Sequence, residues 1–225
     1  MKLNNKRTIL VGLAFLSICA FWQMYDTVIP LILTKTFHLN ETFSGAIMAA
    51  DNILALFLLP FFGSLSDRTH TRLGKRMPFI LFGTGCAVIL MNLLPLLDNS
   101  YSAQPSSLKL ASFVIVLGLL LIAMGTYRAP AVALMPDVTP KPLRSRANAI
   151  INLMGAVGGM LYLAVAAVLC PTTQVSASAH FNYQPLFLVV SAVMFVSVGV
   201  LFLTVKEPKL AAENQALEQA HPEWN

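Results

Sequence analysis

The chain has 225 residues, of which 56% are hydrophobic and 11% are charged, and its formal net charge is +5. An ordinary soluble domain carries about 25% charged residues, so this composition excludes a water-soluble globular protein. In a membrane protein, basic residues mark orientation by their positions. The net positive charge is therefore not interpreted as a sign of nucleic-acid binding.

Apolar residues are gathered into six uninterrupted segments, each long enough to cross about 30 Å of hydrocarbon as an α-helix. In chain order the segments cover residues 8–33, 43–65, 77–97, 110–135, 147–170 and 185–205. The loops between them are too short to hold a soluble domain. The sequence therefore predicts an all-α membrane protein in which residues 1–205 form six transmembrane helices and residues 206–225 form a tail.

The distribution of Lys and Arg predicts the orientation of these helices. Twelve of the 15 basic residues lie in the N-terminus, the second and fourth loops and the tail. Cytoplasmic loops carry the excess of basic residues, so both termini are expected in the cytoplasm, with the helices in the cell membrane.

Three ionisable side chains lie inside the predicted spans: Asp26, Asp51 and Arg128. A charge near the middle of a bilayer costs about 2.5–3.5 kcal/mol on insertion scales, so each needs a partner or a water-filled cavity. At about 1.5 Å per residue, Asp26 and Asp51 lie about 8 and 4.5 Å to the outer side of the span centres, and Arg128 about 8 Å to the inner side. A direct ion pair between Asp26 and Arg128 is therefore not expected.

Polar and small residues share one face on each of two spans when they are placed at 100° per residue. On the first span an arc of about 100° contains Trp22, Gln23, Asp26 and Pro30. On the fifth span a stripe of about 80° contains Asn148, Asn152, Gly155, Gly159 and Tyr162. The glycines fit a packing face or a cavity wall equally well, whereas the asparagines favour a cavity.

The candidate residues for binding a solute or a cation are the charged side chains and their polar neighbours. They are Trp22, Gln23, Tyr25, Asp26, Asp51, Asn52, Arg128, Asn148 and Asn152. A carboxyl group can carry a proton, while aromatic and amide side chains can stack on a polar solute and hydrogen-bond to it. A Tyr-charge pair followed by Pro occurs in both the first and the fourth span, at equivalent distances from the start of each. This echo suggests a 3+3 inverted repeat.

The second loop contains the strongest local motif, GSLSDRTHTRLGKR over residues 63–76. A solvated basic loop would explain the Arg and Lys residues, but not Gly63, Asp67 and Gly74 at their spacing. The stretch resembles the signature loop between helices 2 and 3 of the major facilitator superfamily, G-x-L-S-D-R-x-x-x-R-x-G-R-R. Residues 133–140 (ALMPDVTP) and 144–148 (RSRAN) are similar to the sugar:cation symporter branch, which includes glycoside-pentoside-hexuronide symporters and sucrose transporters.

This resemblance implies a six-helix half of a twelve-helix fold, with the tail as the start of the central linker. It implies a secondary transporter for a small polar solute, a sugar, by proton or sodium symport, with no cofactor and no metal site. The missing helices would come from a C-terminal half or from a second copy of the chain. The residues that the resemblance places in a cytoplasmic gate are Gly63, Asp67, Arg68, Arg72, Gly74, Arg76, Asp137, Arg144 and Arg146.

Two departures from the family pattern bear on coupling and substrate. Asn52 follows Asp51, whereas melibiose-type symporters place two carboxylates a turn apart, which favours a proton over sodium. Val132 stands where sucrose transporters carry an Arg. The alternative function is a non-transporting product of a truncated or split transporter gene. A membrane-embedded enzyme is disfavoured because all four histidines lie outside the spans.

Overall fold

A computed structural model of the protein describes residues 3–178 and 180–221. Its helices are α1 (Asn5–Leu31, continued by a π-helix over Ile32–Thr36), α2 (Glu41–Arg68), α3 (Met77–Ala103), α4 (Ser107–Asp137), α5 (Arg144–Leu169), α6 (Thr172–Ala177), α7 (Gln184–Thr204) and α8 (Glu207–Ala220). Within the described residues, six helices are long and apolar enough to cross a membrane, namely α1 to α5 and α7. The prediction of an all-α protein with six spans is confirmed.

Helices α1 and α2 begin before the predicted apolar segments, at Asn5 and Glu41, because a polar residue caps each of them. The side chain of Asn4 accepts a hydrogen bond from the backbone N–H of Arg7 at the start of α1. Asn40 caps α2 in the same way, through the N–H of Phe43 at 2.8 Å. These caps satisfy backbone donors that have no partner inside the helix.

The six spans form two three-helix repeats, α1, α2 and α3 and then α4, α5 and α7, which make equivalent contacts. Helix α1 packs against α5 and α7, and α4 packs against α2 and α3, while α3 and α7 contact each other. Exchanging α1, α2 and α3 with α4, α5 and α7 leaves this set of contacts unchanged. Such a pattern is the one expected of a 3+3 inverted repeat.

Close approaches of backbone fix the central helices. A Cβ atom added at Gly158 would lie 2.0 Å from the carbonyl oxygen of Leu16, so α5 and α1 touch through backbone at this point. In the same part of the bundle, the hydroxyl of Tyr127 on α4 lies 2.6 Å from the hydroxyl of Ser17 and 2.9 Å from the carbonyl oxygen of Ala14. These buried hydrogen bonds hold α4 against α1.

Helix α2 is the most exposed of the six spans. None of its apolar window is buried, whereas 61% of the α1 window is. Large side chains such as Ile53, Leu56 and Phe57 are exposed along it. In a membrane protein, such a face contacts lipid or another protein segment.

We call the two ends of the bundle the basic end and the opposite end. The basic end carries the start of α1, loop 69–76, segment 138–143 and α8. The opposite end carries segments 37–40, 104–106, 170–178 and 180–183. The predicted tail contains α8, which packs against α4, while its last four residues, 222–225, lie outside the described residues.

Candidate functional site

A cavity of about 550 Å³ lies between α1, α2, α4 and α5. Six of the nine candidate side chains line it: Trp22, Asp26, Asp51, Asn52, Arg128 and Asn152. The cavity thus lies between the equivalent helices of the two repeats. Two carboxylates, one guanidinium, an indole and two amides meet there.

Helices α1 and α4 supply an aromatic and cationic wall of this cavity. Trp22 and Asp26 stand one turn apart on α1, so both side chains reach the same face. The guanidinium carbon of Arg128 lies 5.5 Å from the centre of the Trp22 ring, a cation–π distance. The indole Nε1 of Trp22 is buried and has no acceptor among the described residues.

The carboxylates stand on α1 and α2. Asp51 is half-buried, and its Oδ1 accepts a hydrogen bond of 2.9 Å from the side-chain amide of Asn52. Asp26 is exposed. In the described part of the chain, neither carboxylate forms an ion pair with Arg128, which lines the same cavity. Both carboxylates therefore line the cavity without an ion pair to its arginine in the described residues.

The other three candidate residues lie elsewhere. Gln23 lines a separate cavity of about 360 Å³ beside Gly155 and Gly159. Tyr25 is almost completely buried in the core, with its ring stacked on Phe21 at 6.1 Å. Asn148 is exposed and is not part of the 550 Å³ cavity.

The polar stripe of α5 has more than one role. A Cβ at Gly155 would lie 2.9 Å from the Cys19 sulfur, so this glycine permits close helix packing. Gly159 has only the side-chain oxygen of Gln23 near it, at 3.9 Å, and faces the smaller cavity. The Tyr162 hydroxyl forms a hydrogen bond with Thr27 on α1.

Three of the residues predicted to form a gate, Gly63, Asp67 and Asp137, contact the side chain of Arg76 at the basic end. The Arg76 side chain is 6% exposed and contacts the carboxylate of Asp67. Its Nε lies 2.8 Å from the Oδ2 atom of Asp137, and its guanidinium also reaches the carbonyl oxygen of Gly63. Asp67 itself is 61% exposed on its side chain, so it can also meet a partner from outside this bundle.

The remaining gate candidates divide into bound and exposed side chains. Arg144 donates to the carbonyl oxygen of Pro136 at 3.0 Å and pairs with Glu218 at 2.8 Å. The side chains of Arg68, Arg72 and Arg146 are exposed. None of these three has a hydrogen bond or an ion pair through its side chain in the described ranges.

Sequence reasoning missed Glu207, which it placed in the tail. Glu207 is 2% exposed. Its carboxylate accepts hydrogen bonds from the backbone N–H groups of Lys75 (2.7 Å), Arg76 (2.9 Å) and Met77 (2.8 Å). The local signal was the Glu-Pro pair at 207–208, which is typical of a helix start.

Asp98 is a second residue that the predicted spans left out, because the third segment ended at residue 97. It lies in the last turns of α3 and is fully buried. Its Oδ2 atom is 4.0 Å from the Nε2 atom of His180, which comes from the connection between α6 and α7. A buried carboxylate therefore also lies at the opposite end of the bundle.

A membrane bundle of two inverted three-helix repeats around a polar cavity is one half of a twelve-helix transporter fold. The sequence pattern of the Major Facilitator Superfamily matches residues 11–224, and the chain belongs to this family. This match agrees with the six membrane-spanning helices of the structure.

Similar proteins include plant and animal members. The chain is 32% identical to sucrose transport protein SUC3 of Arabidopsis thaliana over 139 residues, which cover 56% of the chain and 23% of the relative. It is 25% identical to solute carrier family 45 member 3 of Homo sapiens over 194 residues, covering 84% and 35%. Sucrose transport protein SUT3 of Oryza sativa subsp. indica is 28% identical over 141 residues, covering 56% and 28%. The matched region spans about a quarter to a third of the length of these relatives.

Proposed function

We propose that the chain forms one half of a secondary active transporter that moves a small polar solute, a sugar, by proton symport. The observation that carries this proposal is the 550 Å³ cavity between the two repeats, with carboxylates and hydrogen-bonding groups on its walls. Cavities of about 300–1,000 Å³ are typical of small-molecule sites. The sucrose transport proteins among the relatives support a sugar as the solute.

The cavity residues divide into two chemical roles. The amides of Asn52 and Asn152 and the unpartnered indole Nε1 of Trp22 suit the hydroxyl groups of a sugar, which donate and accept hydrogen bonds. Asp26 and Asp51 are the candidate proton carriers, because neither forms an ion pair within the described residues. Arg128 provides a positive charge that either carboxylate can approach in another transport state.

A second set of helices is required to close this cavity. Asp26, Asn52 and Asn152 are exposed, so the cavity opens to the outside of the six-helix bundle. Helix α2 forms one wall of the cavity, and no residue of its most apolar stretch is buried within the bundle. We therefore propose that a C-terminal half, or a second copy of the chain, covers this side and that the solute lies between the two halves.

The basic end is proposed to face the cytoplasm, with both termini inside the cell and the bundle in the cell membrane. This orientation rests on the concentration of Lys and Arg at that end. A single cysteine at Arg72 should be labelled by a membrane-impermeant reagent only after the cells are opened. Labelling in intact cells would contradict the orientation.

Uptake into proteoliposomes tests the transport proposal. The purified chain is reconstituted alone and with a co-expressed six-helix C-terminal half, its mass is measured, and uptake of a labelled sugar panel is followed under an imposed proton gradient. We expect uptake when the second half is present or when the chain dimerises. Asp26→Asn and Asp51→Asn should each reduce it by about tenfold or more, whereas Glu41→Gln, at an exposed position outside the cavity, should not.

Each other outcome has a defined meaning. Uptake by a verified monomer would contradict the half-transporter proposal. Uptake that survives both Asp substitutions would contradict their role in proton coupling. No uptake of any sugar in any combination would favour the alternative, a non-transporting product of a transporter gene.

A further inference from the structure

Helix α8 begins at Glu207, and the carboxylate of this residue accepts hydrogen bonds from the backbone at the start of α3. The first N–H groups of a helix have no partner within the helix, and the helix dipole favours a negative charge beside them. Glu207 accepts a hydrogen bond from the first of these donors, the N–H of Met77, and from the N–H groups of the two preceding residues, Lys75 and Arg76, at distances between 2.7 and 3.1 Å. Since Glu207 is 2% exposed, these bonds are shielded from water. One side chain from the tail therefore fixes the last residues of the signature loop.

Gly74 makes room for this carboxylate. A Cβ atom added at Gly74 would lie 2.3 Å from the Cδ atom of Glu207 and 2.4 Å from its Oε2 atom. Gly74 also has a φ of +114°, which side-chain-bearing residues rarely adopt. The glycine of the loop motif and the carboxylate of α8 thus occupy neighbouring positions that are compatible only when residue 74 has no side chain.

Two further contacts attach α8 to the ends of α4 and α5. The side-chain amide of Asn214 donates to the backbone carbonyl oxygen of Asp137 at 3.2 Å. Glu218 pairs with Arg144, the first residue of α5, at 2.8 Å. Helix α8 is therefore attached to three transmembrane helices at the basic end.

We propose that residues 207–220 act as a strap that locks the signature loop to the ends of α3, α4 and α5, with Glu207 as its positioning residue. Arg76 donates its backbone N–H to Glu207 and its side chain to Asp67 and Asp137. The carboxylate partners of Arg76 can exchange only after Glu207 releases the start of α3. This control of the basic end goes beyond the proposed transport and depends on neither the solute nor the coupling ion.

Hydrogen exchange measured by mass spectrometry on the full 225-residue chain in nanodiscs tests the strap. In Glu207→Gln, exchange of the amides at 75–77 should accelerate by about tenfold or more relative to the unmodified chain, while peptides from α1 remain unchanged. Glu207→Asp keeps the charge and should accelerate exchange less than Glu207→Gln. The matched control is Glu213→Gln, on the same helix. The Glu213 side chain is 52% exposed and, among the described residues, forms an ion pair with Lys209 alone, at 4.0 Å, so this substitution should have no effect.

Two results would overturn the strap. The first is exchange at 75–77 that is unchanged in Glu207→Gln or accelerated equally in Glu213→Gln. The second is hydrogen exchange in the α1 peptides that accelerates by the same factor, because a loss of overall stability would increase exchange throughout the bundle.

A double-mutant cycle provides an independent test that does not require Glu207→Gln to fold. Gly74→Ala is compared in the unmodified chain and in a Glu207→Ala background, and the exchange rate at 75–77 is measured in all four proteins. The backbone strain at residue 74 is the same in both backgrounds, but the clash with the carboxylate is absent in the second. Gly74→Ala should therefore accelerate exchange by a smaller factor when Glu207 is gone. Equal factors in the two backgrounds would refute the shared position.

Discussion

Replacing Gly158 by alanine should destabilise the bundle through a single added methyl group. The Cβ atom would lie 2.0 Å from the carbonyl oxygen of Leu16 and 2.8 Å from its carbonyl carbon. Ordinary van der Waals contacts begin at 3.4 Å, so α5 and α1 must separate by roughly 1 Å or more. Both obstructing atoms are backbone, so no side-chain rotation can relieve the contact.

The size of the effect follows from the cost of overpacking a close helix interface. Inserting one methylene-sized group into a packed core costs about 1–3 kcal/mol, and a backbone obstacle favours the upper part of that range. For a chain of this length, about 2–3 kcal/mol corresponds to a melting temperature lower by roughly 4–12 °C. The matched control is Gly199→Ala on α7, where an added Cβ meets nothing within 4 Å. There, alanine should stabilise the helix by up to about 1 kcal/mol.

The cysteines of the chain provide the assay. Cys19, Cys86 and Cys170 are free and half-buried, so a fluorogenic thiol reagent reports unfolding as the purified protein is heated in detergent. Gly158→Ala should react at a lower temperature than the unmodified chain, and Gly199→Ala at the same or a higher temperature. Equal melting temperatures for the two variants would refute the inferred backbone contact between α1 and α5.

Two further predictions use the same melting assay. Arg76→Leu should lower the free energy of unfolding by about 1–3 kcal/mol, since it leaves two partly exposed carboxylates without their shared cation. The control is Arg72→Leu, which removes an exposed arginine that has no side-chain hydrogen bond or ion pair in the described ranges. An equal loss of stability in the control would contradict the prediction. Tyr127→Phe should cost about 1–2 kcal/mol, because the hydroxyl of Ser17 and a nearby carbonyl oxygen lose a buried partner. Tyr101→Phe, which removes a hydroxyl without a hydrogen bond in the described part of the chain, should be close to neutral, and a similar loss in both variants would contradict the assignment.

The six spans and much of the cavity could be predicted because both depend on short-range periodicity. An apolar run of about 20 residues has few alternatives to a membrane helix. Side chains such as Trp22 and Asp26 share a face at any helix position, since four residues turn the helix by about 400°. Tyr25 differs from Asp26 by only one residue, but that residue turns it by about 100°, into the core.

The attachments at the two ends could not be predicted because they join residues that are far apart in the sequence. Glu207 and Arg76 are 131 positions apart, and the sequence around one residue gives no sign that the other residue contacts it. Asp98 was excluded because an apolar segment is defined by where hydropathy falls, whereas the α3 helix continues to Ala103. Polar residues at helix ends are therefore the ones for which sequence patterns say least about burial.

The equivalent helix pairs of the two repeats, α1 with α5 and α4 with α2, do not pack equally closely. Between α5 and α1, Gly158 brings backbone against the backbone of Leu16. Between α4 and α2, the glycine at the close approach, Gly125, meets only the side chain of Leu58, with an added Cβ at 3.2 Å. The backbones of α2 and α4 are therefore farther apart at this point than those of α5 and α1, where an added Cβ would lie 2.0 Å from a backbone oxygen. The looser packing of this pseudo-symmetric bundle therefore lies on the side of the helix that carries Asp51.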